Sequence, residues 1–187
     1  MRIVGGKLKG KSIFFLKSKT TRPLKDSVKE NIFNIILHSN LVNINIENSQ
    51  VLDLYSGIGS FGLECISRGA KEITFVEKDK DVLQILKKNL LKLSASKQAN
   101  IIMDRIDNYL KIKSLKKFNI VFFDPPFAEE SYVKELKLLH QAKICKKDHI
   151  IIIHREKRSN ENLKGIINSV LVRNYGRSKI IFGKLLT

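Results

Sequence analysis

The sequence is short of the residues that staple or anchor a chain. Only two cysteines, Cys65 and Cys145, stand among 187 residues, too few for a disulfide scaffold or a zinc module. No apolar run approaches the roughly 18–20 residues that a membrane-spanning helix needs. The purest run, Ile150–Ile153, is bracketed by His149 and His154. The opening MRIVGGKLKGK has no apolar stretch behind its basic residues, so no signal peptide is expected. These absences set aside secreted, membrane and zinc-module classes and predict a soluble cytoplasmic protein with no metal site. Histidine is sparse too: His38, His140, His149 and His154 are scattered through the chain. They form no catalytic dyad by spacing, and packed or solvated roles are expected for each.

Acid is scarcer than base. Eighteen Asp and Glu face 35 Lys and Arg, a formal net charge of +17. The excess gathers at the two ends: residues 1–30 carry a net +7 and residues 155–187 a net +6, leaving +4 between them. A basic arm at each end of a nearly balanced middle points to a polyanion partner held through phosphates. The 43% of apolar residues is ample for one buried core, so one domain with a short extension is expected.

Periodicity divides the chain in two. Residues 1–16 read as two short strands, Arg2–Val4 and Ser12–Leu16, around a Gly5-Gly6…Gly10 segment suited to tight turns. Arg22-Pro23 leads into a helix of about residues 25–38, with Val28, Ile32, Phe33, Ile35 and Ile36 on one broad face. The polar stretch 39–49 reads as a connector. From Gln50 onward strand and helix signals alternate: strands at 50–55, 72–77, 99–103, 118–123 and 149–154, helices at 60–69, 79–93, 106–112 and 131–143. Continuously apolar strands such as Ile120–Phe123 fit a parallel sheet covered on both faces. Two last strand-like runs, 169–174 and 179–186, flank Tyr175-Gly176-Arg177-Ser178 and read as a hairpin. The expected architecture is α/β: a doubly wound, mostly parallel sheet closed by an antiparallel hairpin.

Two segments carry the chemistry. In VLDLYSGIGSFGLE, Gly57, Gly59 and Gly62 satisfy G-x-G-x-x-G at a strand-to-helix turn, and Glu77 ends the next strand. Such glycines permit close approach to a ligand, and the distal acid can take both hydroxyls of a ribose. Alone, this suits nicotinamide dinucleotides and S-adenosylmethionine about equally. Asp53 shifts the balance, because a carboxylate four residues before Gly57 repels a diphosphate but favours an ammonium and a sulfonium.

The second segment is FFDPPF, residues 122–127, at the carboxyl end of the fourth core strand. Ligands of open α/β sheets bind outside those strand ends. Pro125 and Pro126 stiffen the backbone and present carbonyls, Asp124 adds an acceptor, and Phe127 offers a flat face to a base. Asp124 and the Pro125 carbonyl are suited to take the two N–H bonds of an exocyclic amine and aim its lone pair at a methyl group. Asp104, at the end of the third strand, is placed for the adenine of the donor. Asp107 is its rival, and either could cap the following helix.

With these residues in view, the chain resembles the RsmD family of bacterial class I methyltransferases, which modify guanine N2 of 16S ribosomal RNA. RIVGG…KGK, RPLKDSVKENIFN, DLYSGIGSFGLECISRGA, FVEKD and FFDPPF carry the likeness. It implies a Rossmann-like domain of seven strands over residues 41–187 behind a basic RNA-facing extension, residues 1–40. It also implies S-adenosyl-L-methionine as cofactor, held by Asp53, Gly57, Gly59, Glu77 and Asp104, with Asp124, Pro125, Pro126 and Phe127 on the target guanine. Arg2, Lys7, Lys9, Lys11, Arg22, Pro23 and Asp26 would shape the RNA-facing side. The implied partner is 16S rRNA within the small ribosomal subunit or its assembly intermediate, and the implied enzyme is a monomer. This chain has Leu24 and Lys29 where the family usually has Thr and Arg, so a bidentate phosphate contact is not expected at position 29. Two rival functions share parts of the pattern: a DNA adenine-N6 methyltransferase, and a non-catalytic RNA-binding protein on a methyltransferase scaffold.

Overall fold

A computed structural model describes residues 1–15, 24–112, 116–127, 132–160 and 162–186. Seven strands form one sheet: β1 (Gln50–Leu54), β2 (Glu72–Glu77), β3 (Ala99–Met103), β4 (Phe118–Phe123), β5 (Cys145–Glu156), β6 (Ile167–Tyr175) and β7 (Ser178–Leu185). Five helices accompany them: α1 (Asp26–His38), α2 (Ser60–Ser67), α3 (Lys80–Lys92), α4 (Ile106–Leu110) and α5 (Tyr132–Gln141). The strand order is β3-β2-β1-β4-β5-β7-β6. The first five are parallel, and β7 runs antiparallel between β5 and β6. This is the expected sheet with its closing hairpin.

Both faces are buried because alternate strand residues serve different layers. Val51, Ile73, Phe75, Ile120, Phe122, Ile150 and Ile152 pack with α1, α2 and α3. Their neighbours Leu52, Leu54, Val76, Val121, Phe123, Ile151 and Ile153 pack with α4 and α5. The chain leaves β1 toward β2 on one side while β4 docks on the other, so the strand order reverses between β1 and β4. At such a switch point the loops diverge and open a crevice at the carboxyl ends. Among the described residues no helix is long and apolar enough to cross a membrane.

The N-terminal segment departs from the two strands expected there. Its residues join through one isolated antiparallel bridge, Arg2 to Ser12, around a 3-10 turn at Gly6–Leu8; Leu16 lies outside the described residues. Side chains of α2 take the backbone groups that a neighbouring strand would have taken. The buried Glu64 carboxylate accepts from Val4 N at 3.0 Å and Gly5 N at 2.8 Å. Ser67 Oγ accepts from Leu8 N at 2.9 Å and donates to Gly5 O at 2.5 Å. The approach is close enough that a Cβ on Gly6 would lie 2.0 Å from the Ser67 carbonyl oxygen. Ile3, Leu8 and Ile13 join the same core as α1, α2 and α3, so the basic segment is packed on the face of the sheet that those helices cover.

Burial also removes part of the apparent basic surface. Lys29 is fully buried; its Nζ donates to Arg2 O at 2.7 Å and lies 3.7 Å from Glu64. Arg155, counted with the C-terminal arm, is 3% exposed. Neither of these charges is free for a polyanion.

Candidate functional site

A cleft of about 360 Å³ opens at the switch point. Asp53, Gly57 and Glu77 line it from one side and Asp124, Pro125, Pro126 and Phe127 from the other. The two sequence segments, some seventy residues apart, therefore meet. A strand-to-strand hydrogen bond, Asp124 N to Leu54 O at 3.4 Å, continues the β1–β4 register just past the strand ends.

Each carboxylate beside the glycine turn is held by backbone N–H groups. Asp53 faces the α2 side of the sheet, is 1% exposed, and accepts from Gly62 N at 2.9 Å. Glu77 accepts from Gly57 N at 3.1 Å with one oxygen, and from Lys78 N and Asp79 N at 2.9 and 3.0 Å with the other. The glycine turn is thus tied to the end of the neighbouring strand. Gly59 does a different job from Gly57. It holds φ +85° ahead of α2, and a Cβ there would sit 2.4 Å from Leu86 Cδ1, so it keeps α3 close and does not line the cleft. Asp104 borders a smaller adjoining pocket that shares Tyr55, Glu77 and Lys78 with the cleft. Its Oδ1 accepts from Arg105 N at 2.7 Å and Asn108 Nδ2 at 3.0 Å. Its rival Asp107 pairs with Arg105 and Lys111 and does not line that pocket.

The cleft is acidic within a strongly basic chain. Burial pushes the Asp53 carboxyl well above the usual carboxylate range; the Gly62 N–H opposes this, and the charges of Asp124 and Glu77 add to it. A raised folded-state pKa means that stability is fully present below the unfolded-state value and is lost as pH rises through the folded-state value. Asp53→Asn retains an acceptor for Gly62 N–H and removes that loss. Thermal melts of the free protein should show wild type falling relative to the Asn variant as pH rises from about 4 toward neutrality. Parallel curves would contradict the buried charge.

Two buried hydroxyls on the cleft wall, Ser56 and Ser60, have no hydrogen-bond partner among the described residues. Such groups are expensive unless something pairs with them. With Asp53 and Glu77 they form a lining of acceptors and hydroxyls that suits a cationic, hydroxyl-bearing ligand. It is poorly suited to a diphosphate.

Several residues here were not singled out from the sequence. Tyr55 carries φ +58°, a strained value for a side-chain-bearing residue costing about 1–3 kcal/mol. Its hydroxyl donates to Glu135 Oε2 at 2.6 Å, and its ring meets Phe123 edge-on. Arg155 donates to the carbonyls of Pro125 at 3.4 Å, Pro126 at 3.0 Å and Phe127 at 3.1 Å, and its guanidinium lies 4.2 Å over the Tyr132 ring. The stiff carbonyl ledge inferred from the two prolines is therefore clamped from beneath by a buried cation. His154 Nδ1 lies 2.8 Å from Asp124 Oδ1. The signal for both residues was their place at the end of the strand beside β4. His149, by contrast, satisfies both ring nitrogens, on Lys146 O and Leu185 N, and is structural.

The RNA-side residues are less concentrated. Lys7, Lys9 and Lys11 are exposed on the N-terminal turn. Arg2 is exposed and lies 3.6 Å from Asp26, which also pairs with Lys29 at 3.3 Å. Arg22 and Pro23 lie outside the described residues. Phe15 and Leu24, which flank that stretch, line the cleft.

A model of the family described as conserved hypothetical protein 95 matches residues 1–184. Ribosomal RNA small subunit methyltransferase D of Haemophilus influenzae is 36% identical over 159 residues, 84% of this chain and 79% of that one. The protein of the same name from Buchnera aphidicola subsp. Baizongia pistaciae is 32% identical over 180 residues, 96% of this chain and 88% of that one. The chain belongs to the RsmD family. The solved structure of Escherichia coli yhhF superposes with a TM-score of 0.85 at 26% identity, covering 100% of this chain and 98% of that one. In this RsmD-family chain the two positions that the resemblance set apart, Leu24 and Lys29, are both interior. Leu24 is 4% exposed and Lys29 0%, so they serve packing and the N-terminal tie, and Lys29 is not a phosphate contact.

Proposed function

We propose that this RsmD-family protein transfers a methyl group from S-adenosyl-L-methionine to the exocyclic N2 amine of a guanine in 16S ribosomal RNA. The observation that carries the reading is the single cleft in which the buried carboxylate of Asp53 and the fixed carboxylate of Glu77 face the Asp124–Phe127 ledge. The names of the relatives support an rRNA substrate.

Asp53, Glu77, Ser56 and Ser60 would hold the donor, with Asp104 toward its adenine. When bound, S-adenosylmethionine supplies a methyl group on a good sulfonium leaving group. The remaining work is orientation. Asp124 accepts an N–H of the guanine amine and turns its lone pair toward the methyl, while Phe127 stacks on the base and Arg155 keeps the ledge in place. A weakly nucleophilic aromatic amine loses its proton only after attack, so Asp124 receives that proton and no strong base is needed beforehand. Lys7, Lys9 and Lys11 hold phosphates, so affinity for RNA falls steeply with salt. The basic turn beside the acidic cleft suits a folded RNA–protein surface read by shape, such as an assembling small subunit.

The test uses the purified protein, labelled donor, and small-subunit RNA, small subunits or duplex DNA as acceptors. Label is expected in the RNA as N2-methylguanosine, and donor binding is expected by calorimetry without any acceptor. Transfer to adenine in duplex DNA, or RNA binding with no donor affinity, would overturn the reading.

A further inference from the structure

We propose that His154 is a positioning residue of this site: it holds the Asp124 carboxylate through Nδ1, and Ser178 in turn holds the imidazole. This rests on the reading of Asp124 as the acceptor for the target amine.

The sheet register creates the arrangement. Phe122 pairs with Ile152 and Phe123 with Ile153 across β4 and β5, so Asp124 and His154 fall side by side one step further on. Their parity is that of Phe122 and Ile152, which face the α2 side together with Asp53. On the other side of β5, Ser178 pairs with Glu156 at the start of β7. It is therefore the diagonal neighbour of His154, within reach on the same face. The distances follow: His154 Nδ1 to Asp124 Oδ1 is 2.8 Å, and His154 Nε2 to Ser178 Oγ is 2.9 Å. Both His154 and Ser178 are 3% exposed.

A carboxylate oxygen only accepts, so Nδ1 carries the proton in the bond to Asp124; the Ser178 hydroxyl, which can donate or accept, completes the bond at Nε2. Among the described residues nothing donates to Asp124 Oδ2, which is left to accept the amine N–H and afterwards its proton. Without the imidazole, Asp124 would swing about two torsions at the mouth of an open cleft. The Phe127 ring, 5.5 Å away and at 75°, rests against the same imidazole, so one buried side chain supports both the acceptor and the stacking face. A histidine that merely filled space here would be an odd choice in a row otherwise built from Ile150, Ile152 and Ile180. An aliphatic side chain would pack there without a polar group to satisfy.

The test compares His154→Leu, His154→Asn, His154→Gln and Ser178→Ala in the full chain, on small-subunit RNA. Asparagine places an amide nitrogen near the position of Nδ1, whereas glutamine reaches toward Nε2. His154→Leu is expected to lower kcat by about 30–100-fold, with donor affinity and KM for RNA within about twofold. His154→Asn should recover activity to within about fivefold of wild type, His154→Gln should resemble the leucine variant, and Ser178→Ala should lose about threefold. A packing role would give the opposite order, with leucine tolerated. Should the leucine variant fail to fold, the asparagine–glutamine comparison carries the test. Equal loss in those two, or wild-type kcat in either His154→Leu or His154→Gln, would overturn the inference while leaving the proposed function intact. A wild-type protein that methylates no guanine N2 would refute that function and this inference with it.

Discussion

Asp124→Ala should lower kcat for methyl transfer by about 10²–10³-fold while leaving donor affinity within about threefold. The separation of the two effects follows from the geometry. Asp53 and Glu77, the proposed donor-side carboxylates, draw their hydrogen bonds from the glycine-rich segment, Lys78 and Asp79. None of those bonds depends on Asp124. The carboxylate instead spans the cleft wall between His154 and the open volume. Asp124→Asn should be nearly as damaging as alanine. His154 would claim its carbonyl oxygen, and its NH₂ would then meet the guanine amine donor to donor. Either substitution also removes a charge that raises the Asp53 pKa, so Asp53 should ionise at lower pH in both variants. Single-turnover transfer and donor calorimetry on the same preparations check all of this. Undiminished turnover in Asp124→Ala would remove the orienting carboxylate from the mechanism.

The largest effect on stability is expected at Glu64. This fully buried carboxylate accepts from Val4 N and Gly5 N, pairs with Arg68, and lies 3.7 Å from the equally buried Lys29. Truncating it to alanine leaves Lys29 buried beside a void and frees two backbone N–H groups. Losing one partner of a buried ionic cluster typically costs about 3–5 kcal/mol. Denaturant unfolding of Glu64→Ala should show a loss of that size, and the N-terminal turn should become the earliest site of proteolysis or amide exchange. A loss below about 1 kcal/mol would mean that the turn is held chiefly by Ser67 and its apolar residues Ile3, Leu8 and Ile13. The tie also bears on the proposed function, because the segment it anchors carries the exposed Lys7, Lys9 and Lys11 and brings Phe15 to the rim of the cleft. Asn89 secures the other end, accepting from Phe14 N at 2.7 Å and donating to Phe14 O and Ile58 O at 3.1 Å each.

The main sheet was legible because its strands are apolar in unbroken runs and its helices are amphipathic; Ala99–Met103 and Phe118–Phe123 lie where the pattern places them. β5 runs longer than its apolar core suggests: it begins at Cys145, which pairs with Phe118, and Lys146, Lys147 and Asp148 fall in the register shift before Ile150 meets Ile120, without an apolar signature. The N-terminal strands were misread for a related reason. Composition records backbone extension, but it cannot reveal that Glu64 and Ser67 on a helix supply the hydrogen-bond partners. Within the site, residues with a local motif were legible: the glycine turn, Glu77 and FFDPPF each announce themselves in a few consecutive positions. His154, Arg155 and Ser178 do not. Their roles arise from strand order, which sets β5 beside β4 and β7 beside β5, and no short window of sequence carries that information. Charge counting erred in the same way, since Lys29 and Arg155 add to the total yet lie inside.

The most direct measurement is mass mapping of small-subunit RNA nucleosides from cells lacking this protein and from the same cells after complementation. One N2-methylguanosine is expected to vanish on deletion, to return with the wild-type chain, and to stay absent with Asp124→Ala. An unchanged N2-methylguanosine complement in the deletion, with the missing methyl group found on adenine or in DNA, would contradict the account.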